Sequence, residues 1–88
     1  MKKVVEVTEV EGEGLPKLMN EHVVVWCMNY IYTGKLIGVN DADILLTDAA
    51  VVYETGQLCA DTLKDAQKLP NDLYVRTAAI ESYYKRAY

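Results

Sequence analysis

The chain has 88 residues, a formal net charge of −4 and only two cysteines, Cys27 and Cys59. This length allows one small domain, 1–88, that needs association to bury more surface. The charge argues against a bulk electrostatic grip on nucleic acid, and the cysteine spacing argues against zinc or a disulfide framework. No signal peptide or membrane-length apolar run is present, so we expect a cytoplasmic protein with no membrane partner, metal or cofactor.

Residues 1–14 form an N-terminal extension in which valines near period two could make an extra strand. The next segment, "LPKLMNE" at 15–21, predicts a short α-helix because Pro16 suits a first helical position. Its apolar residues follow helical spacing at i, i+3 and i+4. They are Leu15, Leu18 and Met19.

From His22 the chain becomes rich in β-branched and aromatic residues. This composition predicts strands at 22–28, 30–39 and 44–54. Gly34 lies inside the second strand, where a glycine usually marks a sharp bend or a close backbone approach. We therefore expect the sheet to bend strongly at that position.

The segment 55–72 is the longest polar connection, and residues 60–68 could carry a helical turn or two before Pro70 stops it. Two short strands, 73–77 and 79–84, then follow with a tight turn between them. The polar stretch thus separates the three long strands from the two short ones.

This order predicts a mainly β fold, in which a short N-terminal α-helix precedes a strongly bent five-stranded antiparallel sheet, or small open barrel. An open barrel leaves its last two strands as edges. Pairing of 73–77 in one copy with 79–84 of the next is heterologous, and repeated pairing of this kind closes a homo-oligomeric ring.

Two motifs, "YTGKLIGVNDADILLTDA" and "YVRTAAIESY", resemble those of the Sm/LSm family of ring-forming RNA-binding proteins, which includes the Hfq branch. Within that family the chain resembles the small Sm-like proteins of cyanobacterial phages. The resemblance implies a first motif over 22–54, a variable loop over 55–72 and a second motif over 73–84. The matching residues are Tyr32, Gly34, Leu36, Gly38, Ile44, Leu46, Asp48, Ala49, Val75, Arg76 and Ile80.

In the family, the loop after the second strand and the turn after the fourth hold an RNA base near the pore. The resemblance therefore implies a nucleic-acid site at four positions of this chain. Arg76 matches the family's arginine, while Asn40 stands for an Asp, Asp43 lies nearest the Asn position and Thr77 replaces a Gly. Single-stranded RNA is the implied partner.

Three features of the sequence oppose a base pocket. The loop offers only Asp41 and Ala42 for stacking, and neither has a flat face. Asp43 brings negative charge towards the phosphate path, and a ring repeats that charge in every copy. Arg76 itself has two readings from sequence: an anion contact at the pore, or the salt-bridge partner of Asp43 or Asp48.

Other candidate sites are weaker. A calcium loop starting at Asp41 fails because its sixth and twelfth positions are Leu46 and Val52. His22 is the only histidine and Ser82 the only serine, and neither stands in a catalytic arrangement, so we expect no enzyme. The tail "YYKRAY" mixes aromatic and basic residues and is either a second nucleic-acid surface or a subunit interface.

Two functions remain open at this point. The first is an RNA-binding ring that acts through the loops on its pore side. The second is a scaffold or assembly ring that keeps the fold and has lost the base pocket, since fold does not fix function.

Overall fold

The computed structural model describes residues 14–56 and 63–86. It confirms a mainly β fold, built as an antiparallel sheet of six strands that does not close into a barrel. The sheet order is β4-β3-β2-β1-β6, and β5 also pairs with β3. The strands are β1 His22–Cys27, β2 Ile31–Val39, β3 Asp43–Glu54, β4 Asp65–Lys68, β5 Leu73–Arg76 and β6 Ile80–Lys85. The extra strand expected within 1–14 lies outside the described residues, apart from Gly14.

The predicted α-helix over 15–21 is wrong: only a four-residue 3-10 helix, Leu15–Leu18, forms there. The helix ends at Leu18, and Asn20, two residues later, adopts a left-handed conformation with φ of 69°. The backbone then joins β2, since the Asn20 N–H donates to the Leu36 carbonyl at 2.7 Å. Hydrogen bonds to the sheet therefore outweigh a local helical preference, which is weak in so short a segment.

The prediction of five strands is also wrong, because residues 65–68 form β4. The helical turn expected within 60–68 does not occur over the described residues 63–68, and the rest of that segment lies outside the described residues. This strand pairs with the second half of β3, where Lys68 lies opposite Ala50. Pro70, which has no N–H to donate, falls in the interruption, and β5 then resumes on the first half of β3. The long edge of β3 thus pairs with both β4 and β5. Residues 57–62 lie outside the described residues.

At Gly34, where the sequence predicts a bend or a close backbone approach, the structure shows a close approach of β2 and β3. A Cβ atom at Gly34 would lie 3.0 Å from both Leu46 Cβ and the Thr47 carbonyl oxygen. Opposite it, β3 carries an irregularity in register, and Asp48 there has φ of 53°. The absence of a side chain at Gly34 is therefore what lets β3 cross it at this distance.

One face of the sheet carries the hydrophobic core. Its buried members come from β1, β2, β3 and β5, and the leucines of the 3-10 helix pack against them. They are Val23, Val25, Leu36, Ile44, Leu46, Ala49 and Val75.

The sheet has open edges. Within residues 14–56 and 63–86, β5 pairs only with β3, and β6 pairs only with β1. The last two strands of the chain therefore lie at edges, as predicted. None of the helices in these ranges is long and apolar enough to cross a membrane.

Candidate nucleic-acid interface

The 40–43 turn between β2 and β3 is held by the side chain of its first residue. Asn40 Oδ1 accepts hydrogen bonds from the N–H groups of Ala42 and Asp43, each at 2.8 Å. The Asn40 N–H in turn donates to the Asp43 carbonyl at 2.9 Å. This is an Asx turn, in which the asparagine oxygen replaces a backbone acceptor. Asn40 therefore has a structural role in this loop.

A second turn, the 3-10 helix Thr77–Ala79 between β5 and β6, is attached to the first one. The Thr77 N–H donates to the Ala42 carbonyl at 2.9 Å, and its hydroxyl donates to the Asp41 carbonyl at 2.7 Å. The two loops that the family resemblance assigned to the base site therefore lie together. Thr77 joins them through both of its donors, in a position where a glycine would supply only one.

Arg76 lies beside this pair of turns. It is directly opposite Asp43 in the pairing of β5 with β3, and its side chain is exposed. The sequence left open a salt bridge from Arg76 to Asp43 or Asp48. Across the described ranges, Arg76 makes no ion pair or hydrogen bond, and Asp48 interacts with Lys68 and His22 instead. The guanidinium is thus unengaged in the part of the chain that is described.

Tyr74 is a residue of this candidate interface that the sequence analysis does not single out. It is 68% exposed and lies two residues before Arg76, whereas Val75 between them is 5% exposed and belongs to the core. Successive strand residues point to opposite faces, so Tyr74 and Arg76 share the outer face of β5. The alternation of "YVR" was a signal in the sequence that could have found this aromatic ring.

A shallow groove of about 230 Å³ joins Tyr74 to the 40–43 turn. Gly38 lies in its floor, and a Cβ atom there would meet only Leu45 Cβ, at 3.4 Å. The groove is lined by Gly38, Val39, Asn40, Asp43, Ile44, Leu45 and Tyr74. A flat side chain therefore borders the predicted site, although it comes from β5 and not from the loop.

Asp48 lies at the register irregularity of β3, away from the strand position of Arg76. Lys68 lowers the pKa of the Asp48 carboxyl by hydrogen bonding and by its charge, and His22, whose Nε2 is 3.8 Å away, lowers it further. These contacts tie β3 to β4 and to the start of β1. In this structure Asp48 thus has a local partner and is no part of the groove.

The C-terminal aromatic and basic residues are engaged within the fold. Tyr83 packs against the core, and the Tyr84 hydroxyl accepts a hydrogen bond from Trp26 Nε1 at 3.2 Å. Lys85 Nζ lies 3.7 Å from a carboxylate oxygen of Glu21. These contacts favour a structural role for the tail, of which residues 87–88 lie outside the described part.

A second groove, of about 310 Å³, opens between the β1–β2 hairpin and β5, and Cys27 lies in its wall. Burial, and to a lesser degree the charge of Glu81, raises the pKa of the Cys27 thiol, which disfavours the reactive thiolate. Cys27 forms no disulfide in the described structure, and Cys59 lies outside it. No cluster of three potential metal ligands occurs among the described residues.

No protein-family model matches the chain, and no curated protein matches it either.

Proposed function

We propose that the protein is an Sm-like, RNA-binding ring in which single-stranded RNA lies along the turn end of β5. Arg76 contacts the RNA phosphate in this proposal. The observation that carries it is the state of Arg76: an exposed cation, engaged by no described residue, beside two turns that are joined to each other. The activity is binding, and no catalytic step is part of the proposal.

The energetics favour an anion at this position. A guanidinium presents several N–H donors in a fixed fork that matches phosphate oxygens. A hydrogen bond to a charged group contributes about 1.5–3 kcal/mol. One such contact is weak, but a ring presents the same arginine once per copy, so a single strand of RNA can engage several at once. Each Arg76 opposes locally the repulsion from the net charge of −4 per chain, which a ring repeats in every copy.

The ring itself is proposed from the open edges of the sheet. The Thr77 N–H points to β3, where it donates to the Ala42 carbonyl. Backbone N–H directions alternate along a strand, so the N–H groups of Tyr74 and Arg76 point away from β3. Those donors are available to β6 of a second copy, which is itself paired on only one side among the described residues.

A scaffold ring without RNA binding is the second candidate, and one observation favours it. Asn40 Oδ1 and the Thr77 hydroxyl, two groups expected to contact a base, are both used by the turns. In that case Arg76 would contact a protein partner.

Fluorescence anisotropy of a labelled U-rich RNA at about 50 mM salt separates these functions, since low salt favours phosphate contacts. We expect saturable binding that Arg76→Ala weakens at least tenfold. Lys64→Ala is the matched control, because it removes an exposed cation that pairs with Glu54 away from the site. Absence of binding by the unaltered protein, or equal loss in both variants, would contradict the proposal.

A further inference from the structure

We propose that the groove between Tyr74 and the 40–43 turn holds a guanine base, so that the ring selects RNA with unpaired guanines. This inference rests on the proposed RNA binding and adds a base specificity to it. It uses a surface beside Arg76 whose aromatic wall comes from β5.

The shape of the groove fits one base. Its volume of about 230 Å³ is below the roughly 300–1,000 Å³ of sites for drug-sized ligands. Gly38 keeps the floor low, because no side chain rises from it. The exposed ring of Tyr74 forms a wall on which a base can stack, and stacking accepts any base. Discrimination must therefore come from polar groups at the turn.

The turn offers one donor and one pair of acceptors. Asn40 Oδ1 already accepts two backbone hydrogen bonds, so only its Nδ2 group, which donates to no described residue, can reach a base. An amide nitrogen can only donate, whereas the Asp43 carboxylate can only accept and has two oxygens. The two hydrogen bonds to Asn40 Oδ1 thus leave only the Nδ2 group of Asn40 to contact a ligand, as a donor.

Guanine is the base that satisfies this arrangement. Its Watson–Crick edge carries two adjacent donors, the N1–H and the exocyclic amine, which can bond a carboxylate in bidentate fashion. Its O6 lies next to them and can accept from Asn40 Nδ2. Uracil places a carbonyl on each side of its single N–H, and adenine places the N1 lone pair beside its amine. Both would bring an acceptor against the Asp43 carboxylate, which is costly when partly desolvated.

Arg76 places the backbone of the RNA near this base. It lies two residues from Tyr74 on the same face and directly opposite Asp43. A nucleotide with its base on Tyr74 can therefore contact Arg76 through its phosphate. The groove reads the base and the arginine contributes affinity that is independent of sequence.

The test compares three RNAs that differ at one kind of position: a U-rich oligomer with isolated guanosines, the same oligomer with inosines, and the same with adenosines. Inosine lacks only the exocyclic amine. We expect the guanosine RNA to bind about tenfold more tightly than the inosine RNA, and Asp43→Asn to remove this difference. Tyr74→Leu should weaken the guanosine RNA roughly tenfold, while Tyr74→Phe, which keeps the flat ring, should not.

The outcomes separate the two proposals. Equal affinity for all three RNAs, with binding that still depends on Arg76, would overturn the guanine site and leave RNA binding in place. No binding of any of the three would overturn both. Circular dichroism of each variant establishes that it keeps the β-rich fold, so that weaker binding reports on the groove.

Discussion

Two neighbouring parts of the molecule use their polar side chains in opposite ways. In the 40–43 turn and at Thr77, side-chain groups bond the backbone of the same two turns. On the outer face of β5, Tyr74 and Arg76 are exposed, and Arg76 is engaged by no other described residue. The comparison teaches that closeness to a predicted site does not make a residue a ligand contact. Here Asn40 Oδ1 and the Thr77 hydroxyl hold the two turns together, whereas the side chains of Tyr74 and Arg76 on β5 stay exposed.

The close approach of β2 and β3 depends on Gly34, and two glycine variants test this. Gly34→Ala puts a Cβ atom 3.0 Å from Leu46 Cβ and from the Thr47 carbonyl oxygen, so backbone must move. We expect the free energy of unfolding to fall by about 1–3 kcal/mol. Gly38→Ala meets only Leu45 at 3.4 Å and should be close to neutral. Urea unfolding measures both, and equal stability of the two variants would show that the close approach of β2 and β3 does not need Gly34.

The edge of β5 is tested by two changes at one residue. Tyr74→Pro removes an N–H that points away from β3, so the fold should persist while the ring dissociates. Tyr74→Leu keeps the N–H and should keep the ring. Light scattering after size-exclusion chromatography gives the molar mass, and we expect the monomer mass only for the proline variant. A ring that survives Tyr74→Pro would contradict the proposed strand pairing.

The proposed contact between Arg76 and RNA phosphate predicts a change in the salt dependence of binding. On single-stranded RNA, each phosphate that a protein neutralises contributes about 0.7 to the slope of log affinity against log salt. Arg76→Ala should therefore flatten the slope by about this amount for each arginine that binds the RNA, whereas Tyr74→Phe should leave it unchanged. An unaltered slope in Arg76→Ala would place the phosphate elsewhere on the protein.

The hydrogen bond from the Thr77 hydroxyl, which joins the two turns, predicts a smaller effect on stability. Thr77→Val removes the hydroxyl that donates to the Asp41 carbonyl but retains the N–H bond to Ala42. The loss in stability should be about 1 kcal/mol or less, because the bond is exposed. Thr77→Ser keeps a hydroxyl and is the matched control. Thermal unfolding compares the two, and a stability loss of several kcal/mol would mean that the turns do more than frame the site.

The smallest effect that we expect is a change in the pH dependence of folding stability when Asp48 is replaced. Its pKa is lowered from 3.8 in the folded protein, chiefly by Lys68. A carboxyl whose pKa is lower in the folded than in the unfolded state stabilises the fold at pH values above its unfolded-state pKa. This stabilisation is lost as the pH falls through the folded-state pKa. Asp48→Asn, which tolerates the left-handed backbone, should therefore flatten the acid side of the stability curve. An identical decline below about pH 4 in both proteins would contradict this.

The β-rich fold could be predicted because its signals are local. Runs of β-branched residues give β1 to β3 within a residue or two of their ends, and Gly34 marks the close approach. The helix and β4 could not be predicted in the same way. The helix stops at Leu18 and Asn20 bonds β2 instead, and Asp65–Lys68 becomes a strand because the long edge of β3 is available. Both depend on partners far along the chain, and tertiary context overrides weak local preference.

The site was predicted only in outline. Asn40, Asp43, Arg76 and Thr77 do lie around one corner of the sheet. Their separate tasks depend on hydrogen bonds that spacing does not reveal, such as the Asx turn that occupies Asn40 Oδ1. The loop sequence offers no flat side chain, whereas alternation in the fifth strand places Tyr74 on the same face as Arg76.

The most direct test of the difference between the turns and β5 is a parallel titration of four variants with the U-rich RNA that carries isolated guanosines. Fluorescence anisotropy at about 50 mM salt measures the binding. Arg76→Ala and Tyr74→Leu alter the outer face of β5, while Thr77→Val alters the contact between the two turns and Asp48→Asn alters the contact between β3 and β4. We predict that the first two each weaken binding about tenfold or more and that the last two change it less than twofold. If the two pairs of variants weaken binding equally, or if the unaltered protein binds no RNA, the proposal that the outer face of β5 contacts the RNA is contradicted.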